Sequence, residues 1–412
     1  MLHVHDPFRR GQLAIGALFF SLGFQYATWA SRLPAIKAHL DLTAAQVGLL
    51  LMATGIGAAA AFPLVAMLMR RLGSRLLSLL SAVGLTLLLI PLSVMPNYPV
   101  ALLIMGCDGV LVACLNVAMN AQGAALEAVH RRNAMAKLHA TFSGGSLGAA
   151  LLASGMNTVT STMAVHFGAA AVLLLLLTAY ARTGLLTREQ VAAKVEAAET
   201  EEAEEAEDAV AVAVAKERGT KERDAKSRGT WTLPARMTLW MGCAMAFGTV
   251  TEGAMNDWSA IYMKDVAKAS AELAPMGIAV VSVMMVLARL FADGWRSRWG
   301  DGLIVRAGSA LAAAGLALAL LSGGVVPALI GFAAVGLGIA AVTPCVYVAA
   351  AGQGSDALTL VATMGTTGLL AGPPVIGFIA NATGLVWGLG AVAASALVVS
   401  LCSTQIRWTS TA

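Results

Sequence analysis

The sequence predicts an all-α polytopic membrane fold: twelve transmembrane helices in two pseudo-symmetric six-helix bundles. Three observations predict it. The 412 residues are 58% hydrophobic and only 12% charged, with a mean hydropathy of +0.76, whereas a soluble domain carries about a quarter charged residues. The charges cluster, leaving apolar runs of about 20 residues, the length that crosses a bilayer as helix. The runs also fall into two sets of six separated by a hydrophilic stretch.

In the first set the spans are predicted near 11–33, 45–69, 76–95, 99–122, 139–157 and 162–182. In the second they are predicted near 236–262, 274–295, 302–322, 325–348, 357–381 and 383–403. The chain therefore divides into an N-terminal bundle (1–182), a charged linker (183–235) and a C-terminal bundle (236–412). No small-residue cleavage signal follows the first run, which reads as a retained helix and not a signal peptide. The linker carries an acidic, alanine-rich run from Glu196 to Asp208 and then a basic one from Lys216 to Arg228. That composition suits a solvated tether whose opposite charges pair.

Orientation follows from lysine and arginine, which favour the cytoplasmic side. Arg9 and Arg10 precede the first span; Arg70, Arg71 and Arg75 follow the second; Arg131, Arg132 and Lys137 follow the fourth; Arg296, Arg298 and Arg306 follow the eighth. The alternate loops hold only Arg32, Lys37, Lys264 and Lys268. Both termini are thus expected to be cytoplasmic. Because the basic residues sit at span ends, the net charge of +4 does not point to nucleic acid. Cys107, Cys114, Cys243, Cys345 and Cys402 lie within apolar runs without metal-like spacing, so neither a disulfide framework nor a metal is expected.

Polar residues inside these runs carry the functional reading. A charge in hydrocarbon costs about 3 kcal/mol or more, so it is kept where protein or water receives it. Asp108 and Glu252 sit at mid-span in the fourth and seventh runs, where a carboxyl can gain and lose a proton during transport. Asn116 and Asn120 share a face at i,i+4 spacing, with Gln122 near the face of Asp108. Asn256 lies one turn beyond Glu252. Together with Gln25 these amides are expected to contact a polar solute. Arg289 is expected either to pair with Asp293 one turn on, or to meet Glu252 or an anionic solute, for which its planar fork is suited. Asp257 is expected to pair with Arg32 or Lys264, and Trp29 and Trp258 to anchor at the interface. His139, Thr141 and Ser143 are expected to fix helix ends, and His166 to be structural. Gly372, Pro373, Pro374 and Gly377 would kink and closely pack the eleventh span. No catalytic constellation stands out, and Gly144-Gly145 lacks the lysine of a phosphate-binding loop.

Several segments carry a family resemblance. Met69-Arg70-Arg71-Leu72-Gly73-Ser74-Arg75 resembles the loop motif G-x-x-x-D-R-x-G-R, with Ala66 at the first glycine and Arg70 at the acidic position. The equivalent loop of the second set keeps Arg298 and Gly300. Asn116-Val117-Ala118-Met119-Asn120-Ala121-Gln122, His139-Ala140-Thr141-Phe142-Ser143-Gly144-Gly145, Glu252-Gly253-Ala254-Met255-Asn256-Asp257-Trp258-Ser259 and Gly372-Pro373-Pro374-Val375-Ile376-Gly377 complete the pattern. The chain resembles the major facilitator superfamily, and within it bacterial inner-membrane permeases similar to fucose-type sugar:proton symporters.

The resemblance implies a monomer in the bacterial inner membrane, in contact with lipid, that moves a small polar solute by alternating access. It implies proton symport through Asp108 and Glu252, with the proton gradient in place of any cofactor. Arg71, Gly73, Arg298 and Gly300 would latch the cytoplasmic side. Proton-antiport efflux and a non-transporting receptor or scaffold are the alternatives.

Overall fold

Every apolar run lies on helix in the computed structural model, which describes residues 6–187, 190 and 236–408. The acidic and basic runs of the linker lie outside the described residues. The first set comprises α1 (Pro7–Ala30), α2 (Leu33–His39), α3 (Ala44–Ala60), α4 (Phe62–Ser93), α5 (Tyr98–His130), α6 (Met135–Val159) and α7 (Met163–Ala181). The second comprises α8 (Arg236–Asp265), α9 (Met276–Trp299), α10 (Asp301–Ser322), α11 (Val325–Ile339), α12 (Val342–Ala351), α13 (Ser355–Thr383) and α14 (Leu385–Ser403).

Helix starts follow local chemistry. Asp6 accepts from the Phe8 amide at 3.0 Å and Asn97 from the Val100 amide at 3.1 Å, each ahead of a proline in the first turn. Thr43 and Gln46 form a reciprocal capping box at 2.9 and 3.2 Å. Glu127 reaches over to the Met135 amide at 2.8 Å and caps α6.

Two glycines set the turns of the paired loops. Gly73 breaks α4 with φ 73° and ψ 168°, and Gly300 separates α9 from α10 with φ 76° and ψ 152°. Both lie in the left-handed half of φ space, which other residues enter at a cost. The two loops thus share a backbone turn as well as a sequence trace.

Packing repeats between the sets. In the first, α1 lies along α6 and α7, and α5 along α3 and α4; in the second, α8 lies along α13 and α14, and α11 along α9 and α10. The contacts between sets repeat too: α3 packs on α13, and α6 on α9. Leu103, Ile90, Leu318, Leu321, Val326 and Trp387 stand exposed on the outside, an apolar surface that lipid covers and water would not.

By length and apolarity, eight helices could cross a membrane among the described residues, or nine if the bent pair α2 and α3 counts as one. This is fewer than the twelve expected. The shortfall falls on α6, α8 and α9. The apolar part of α9, Met276–Ala292, is short, and these helices carry Ser143, Glu252, Asn256, Asp257 and Arg289. Polar residues needed inside the bundle lower the apolarity of the helices that present them.

Side-chain bonds between the sets gather at the end carrying Lys37 and Asp265. Those two form an ion pair. Nearby, Ser154 donates to the Glu272 carbonyl and Asn157 to the Ala271 carbonyl, both at 2.7 Å. Deeper in, α3 and α13 nearly touch: a Cβ on Gly48 would stand 2.6 Å from the Pro373 carbonyl oxygen. At the opposite end the ion pairs described stay within one set, Arg132 with Asp6 at 3.1 Å and Arg296 with Asp301 at 2.8 Å.

Candidate functional site

Two neighbouring residues of α1 organise the interior. Gln25 donates through Nε2 to Asp108 Oδ1 at 2.8 Å, and both side chains are sealed, 1% and 0% exposed. Gln25 Oε1 and Asp108 Oδ2 have no partner among the described residues. One position on, the Tyr26 hydroxyl donates to Asp257 Oδ1 in the second set. Asp257, Asp108 and Glu252 all lie close enough to act electrostatically on that hydroxyl. The sequence reading missed Tyr26; its signal was a lone tyrosine beside Gln25 within an apolar run.

Glu252 and Arg289 form the second half of the site. Arg289 Nη2 meets Glu252 Oε1 at 3.1 Å, with the side chains 27% and 22% exposed for Glu252 and Arg289. Its other arm, Nη1, donates to Ser143 Oγ on α6 at 2.6 Å. Arg289 therefore ties α8 and α9 to the first set. The partner is Glu252, and Asp293 falls outside the described side chains, as does the pairing expected for it. Ser143, expected to fix a helix end, instead holds the guanidinium. Asn256 turns its amide to the Glu252 carbonyl at 3.2 Å.

Other expected residues are placed differently. Asn120 donates to Asn116 Oδ1 at 2.9 Å, and this pair keeps to its own helix face. Gln122 leaves the face of Asp108: it donates to Ser74 Oγ at 2.8 Å and the Leu186 carbonyl at 3.1 Å, and accepts from the Leu186 amide at 2.9 Å. It thereby pins the chain after α7 to the turn at Gly73. Asp257 pairs with neither Arg32 nor Lys264. Arg32 lies buried at 4% exposure and donates to His166 Nδ1 at 3.0 Å, so His166 is held as a structural partner.

Trp29 and Trp258 are each 1% exposed. They fill the interior between the sets, where their bulk closes space that an interfacial anchor would leave open. Of the loop residues, Arg71 is exposed and Arg298 lies 5.7 Å over the Trp299 ring. Gly372 faces Val250 at contact distance, and Pro373 and Pro374 sit inside α13.

A groove of about 620 Å³ between α3 and α5, lined by Leu49, Met52, Ile56, Leu103 and Val110 among others, is apolar and lies away from these polar groups. It has nothing to orient a polar solute. Among the described residues, no cluster of three or more His, Cys, Asp or Glu could hold a metal.

The arrangement has counterparts of known fold. The crystal structure of the nucleoside transporter NupG superposes with a TM-score of 0.67 over 96% of this chain and 98% of that one, at 14% identity. An uncharacterized MFS-type transporter of Yersinia pestis is 32% identical, covering 96% of this chain and 95% of its own. Membrane protein MosC of Rhizobium meliloti is 28% identical, with 95% and 88% covered. An uncharacterized transporter of Sinorhizobium fredii is 28% identical, with 89% and 90% covered. The profile of the Major Facilitator Superfamily matches residues 13–356. Helices that pack in repeating pairs, buried carboxyls where the sets meet and a family match over most of the length agree: this chain is a multi-pass membrane permease of the Major Facilitator Superfamily, a secondary transporter and not an enzyme.

Proposed function

We propose that the protein carries a small polar solute across the bacterial inner membrane by proton-coupled symport. The observation that carries this reading is the set of carboxyls held inside the bundle: Asp108 on Gln25, Asp257 on Tyr26 of the other set, and Glu252 on Arg289. Carboxyls kept inside a membrane bundle mark ion and solute pathways. On this reading α6, α8 and α9 also cross the membrane, which makes twelve spans in two six-helix bundles, 1–182 and 236–412, joined by the linker 183–235.

Basic loops place both termini in the cytoplasm. The Lys37–Asp265 end, where bonds join the two sets, is then periplasmic and closed. Asp108 takes the proton. Gln25, Asn116, Asn120 and Asn256 offer amides to a sugar-like or organic-acid solute, and Arg289 exchanges between Glu252 and an anionic group of the cargo. The likeness to fucose-type permeases supports the solute class, and the monomer is the working unit.

The test is proton movement in proteoliposomes on addition of pooled sugars, sugar acids and amino acids. Wild type should show a solute-dependent proton signal that Asp108→Asn abolishes. An unaltered signal in Asp108→Asn removes that residue from coupling. No signal with any pool, together with extrusion of a loaded compound, would replace symport by antiport efflux.

A further inference from the structure

Four acids lie near the interface between the sets, and they are not equivalent. Glu252 is neutralised by Arg289, and Asp265 by Lys37. Asp108 and Asp257 have only neutral donors, Gln25 and Tyr26. These two donors are adjacent on α1, so one turn of a single helix holds an uncompensated carboxyl of each set.

We propose that Asp257 is a second protonation site of the carrier and that the proton it holds keeps the Tyr26 bond shut, closing the Lys37–Asp265 end. This deepens the symport reading and rests on it for the physiological role of the proton.

Asp257 is 5% exposed, and among the described residues no arginine, lysine or histidine is bonded to it. From α1 the titratable group that meets it is Tyr26. From α2 comes Lys37, held by Asp265, with Arg32 at the helix start held on His166. From α9 comes Arg289, held by Glu252. On α12 the titratable side chains are Cys345 and Tyr347, and on α14 Cys402; α11 has none, and α13 has Asp356 at its far end.

A carboxylate without a cation is costly where water is excluded, whereas the neutral acid still accepts the Tyr26 hydroxyl through its carbonyl oxygen. Opening this end would part Tyr26 from Asp257 and admit water, and the ionised form would then be solvated. Proton binding and closure are therefore linked.

The experiment measures the gate without any solute, with protons as the only probe. Spin labels at Ala38→Cys and Lys264→Cys, in full-length protein with its native cysteines replaced, report the separation of α2 from the end of α8 in nanodiscs. The ratio of the populations at the open and closed distances should rise about tenfold per pH unit through the transition, as linkage to one proton requires. Asp257→Asn keeps an acceptor for Tyr26 and should stay closed at every pH. Tyr26→Phe should still titrate, with the open fraction raised about fivefold in acid for the loss of one hydrogen bond.

An Asp257→Asn protein that titrates like wild type overturns the proposal, as does a flat response in wild type. A response lost in Asp108→Asn and retained in Asp257→Asn also overturns it by moving the site. Solute-driven proton flux, measured in parallel, separates the two readings. Normal flux with a gate indifferent to Asp257 leaves symport standing and sinks the gate. A gate that titrates through Asp257 without any solute-driven proton signal does the reverse.

Discussion

Arg289 on α9 divides its guanidinium between Glu252 on α8, at 3.1 Å, and Ser143 on α6, at 2.6 Å. One side chain thus cancels a half-buried charge within its own set and grips the other set. Few contacts could serve transport better, because a rocking motion must release one grip while the charge stays compensated.

Removing one member of this pair leaves the other uncompensated. Glu252→Gln and Arg289→Met alone are each expected to destabilise by about 1–3 kcal/mol, below the cost for a fully buried pair because both side chains retain some exposure. The double variant should recover most of that loss while transport stays absent. Thermal unfolding in detergent checks this; a double variant no more stable than the worse single would refute charge compensation.

Asp108→Asn preserves the shape of the Gln25 contact and removes the ability to ionise. Solute exchange across proteoliposomes that carry the same solute on both sides should persist, while solute-driven proton movement stops. Loss of both would place Asp108 in binding and not in coupling.

Gly300→Val should cost about 1–2 kcal/mol, because φ is 76° there. Nothing lies within 4 Å of an added Cβ, so the cost is entirely backbone. Gly300→Ala should lose a similar amount, since positive φ with ψ 152° is essentially a glycine-only region. Melting temperatures of the two variants decide the matter; a much larger loss for valine would point to lost side-chain space.

Gly48→Ala drives a methyl against the Pro373 carbonyl oxygen and the Pro374 Cα, 2.6 and 3.0 Å away. Backbone atoms on both sides cannot yield cheaply, so α3 should part from α13. The label pair at positions 38 and 264 should report more of the open form, about tenfold for a strain of about 1.4 kcal/mol. An unchanged distance distribution would show that this approach does not set the closed state.

Much of the candidate site was legible before folding. Gln25, Asp108, Glu252 and Arg289 stand out because each breaks an apolar run, and the structure brings them to the interior as two bonded pairs. The partners were harder to read. For Arg289 the sequence offered Asp293 or Glu252, and the bond to Glu252 forms; for Asp257 proximity to a loop suggested Arg32 or Lys264, whereas the bond that forms comes from Tyr26 on α1. Gln122 illustrates the same limit: its helix face agreed with Asp108, yet a cap for Leu186 lay closer.

From sequence alone came the class of solvent, the helical segments and the residues too polar for lipid. All are local properties, set by side-chain transfer energies and by backbone sterics within a few residues. Only the tertiary structure decided that Tyr26 meets Asp257, that Arg289 holds both Glu252 and Ser143, and that Trp29 and Trp258 are buried. Those outcomes depend on which faces of distant helices meet, and in a membrane lipid is as apolar as the helices themselves. Hydropathy therefore cannot choose between faces; close approach of small residues and a few polar bonds make that choice.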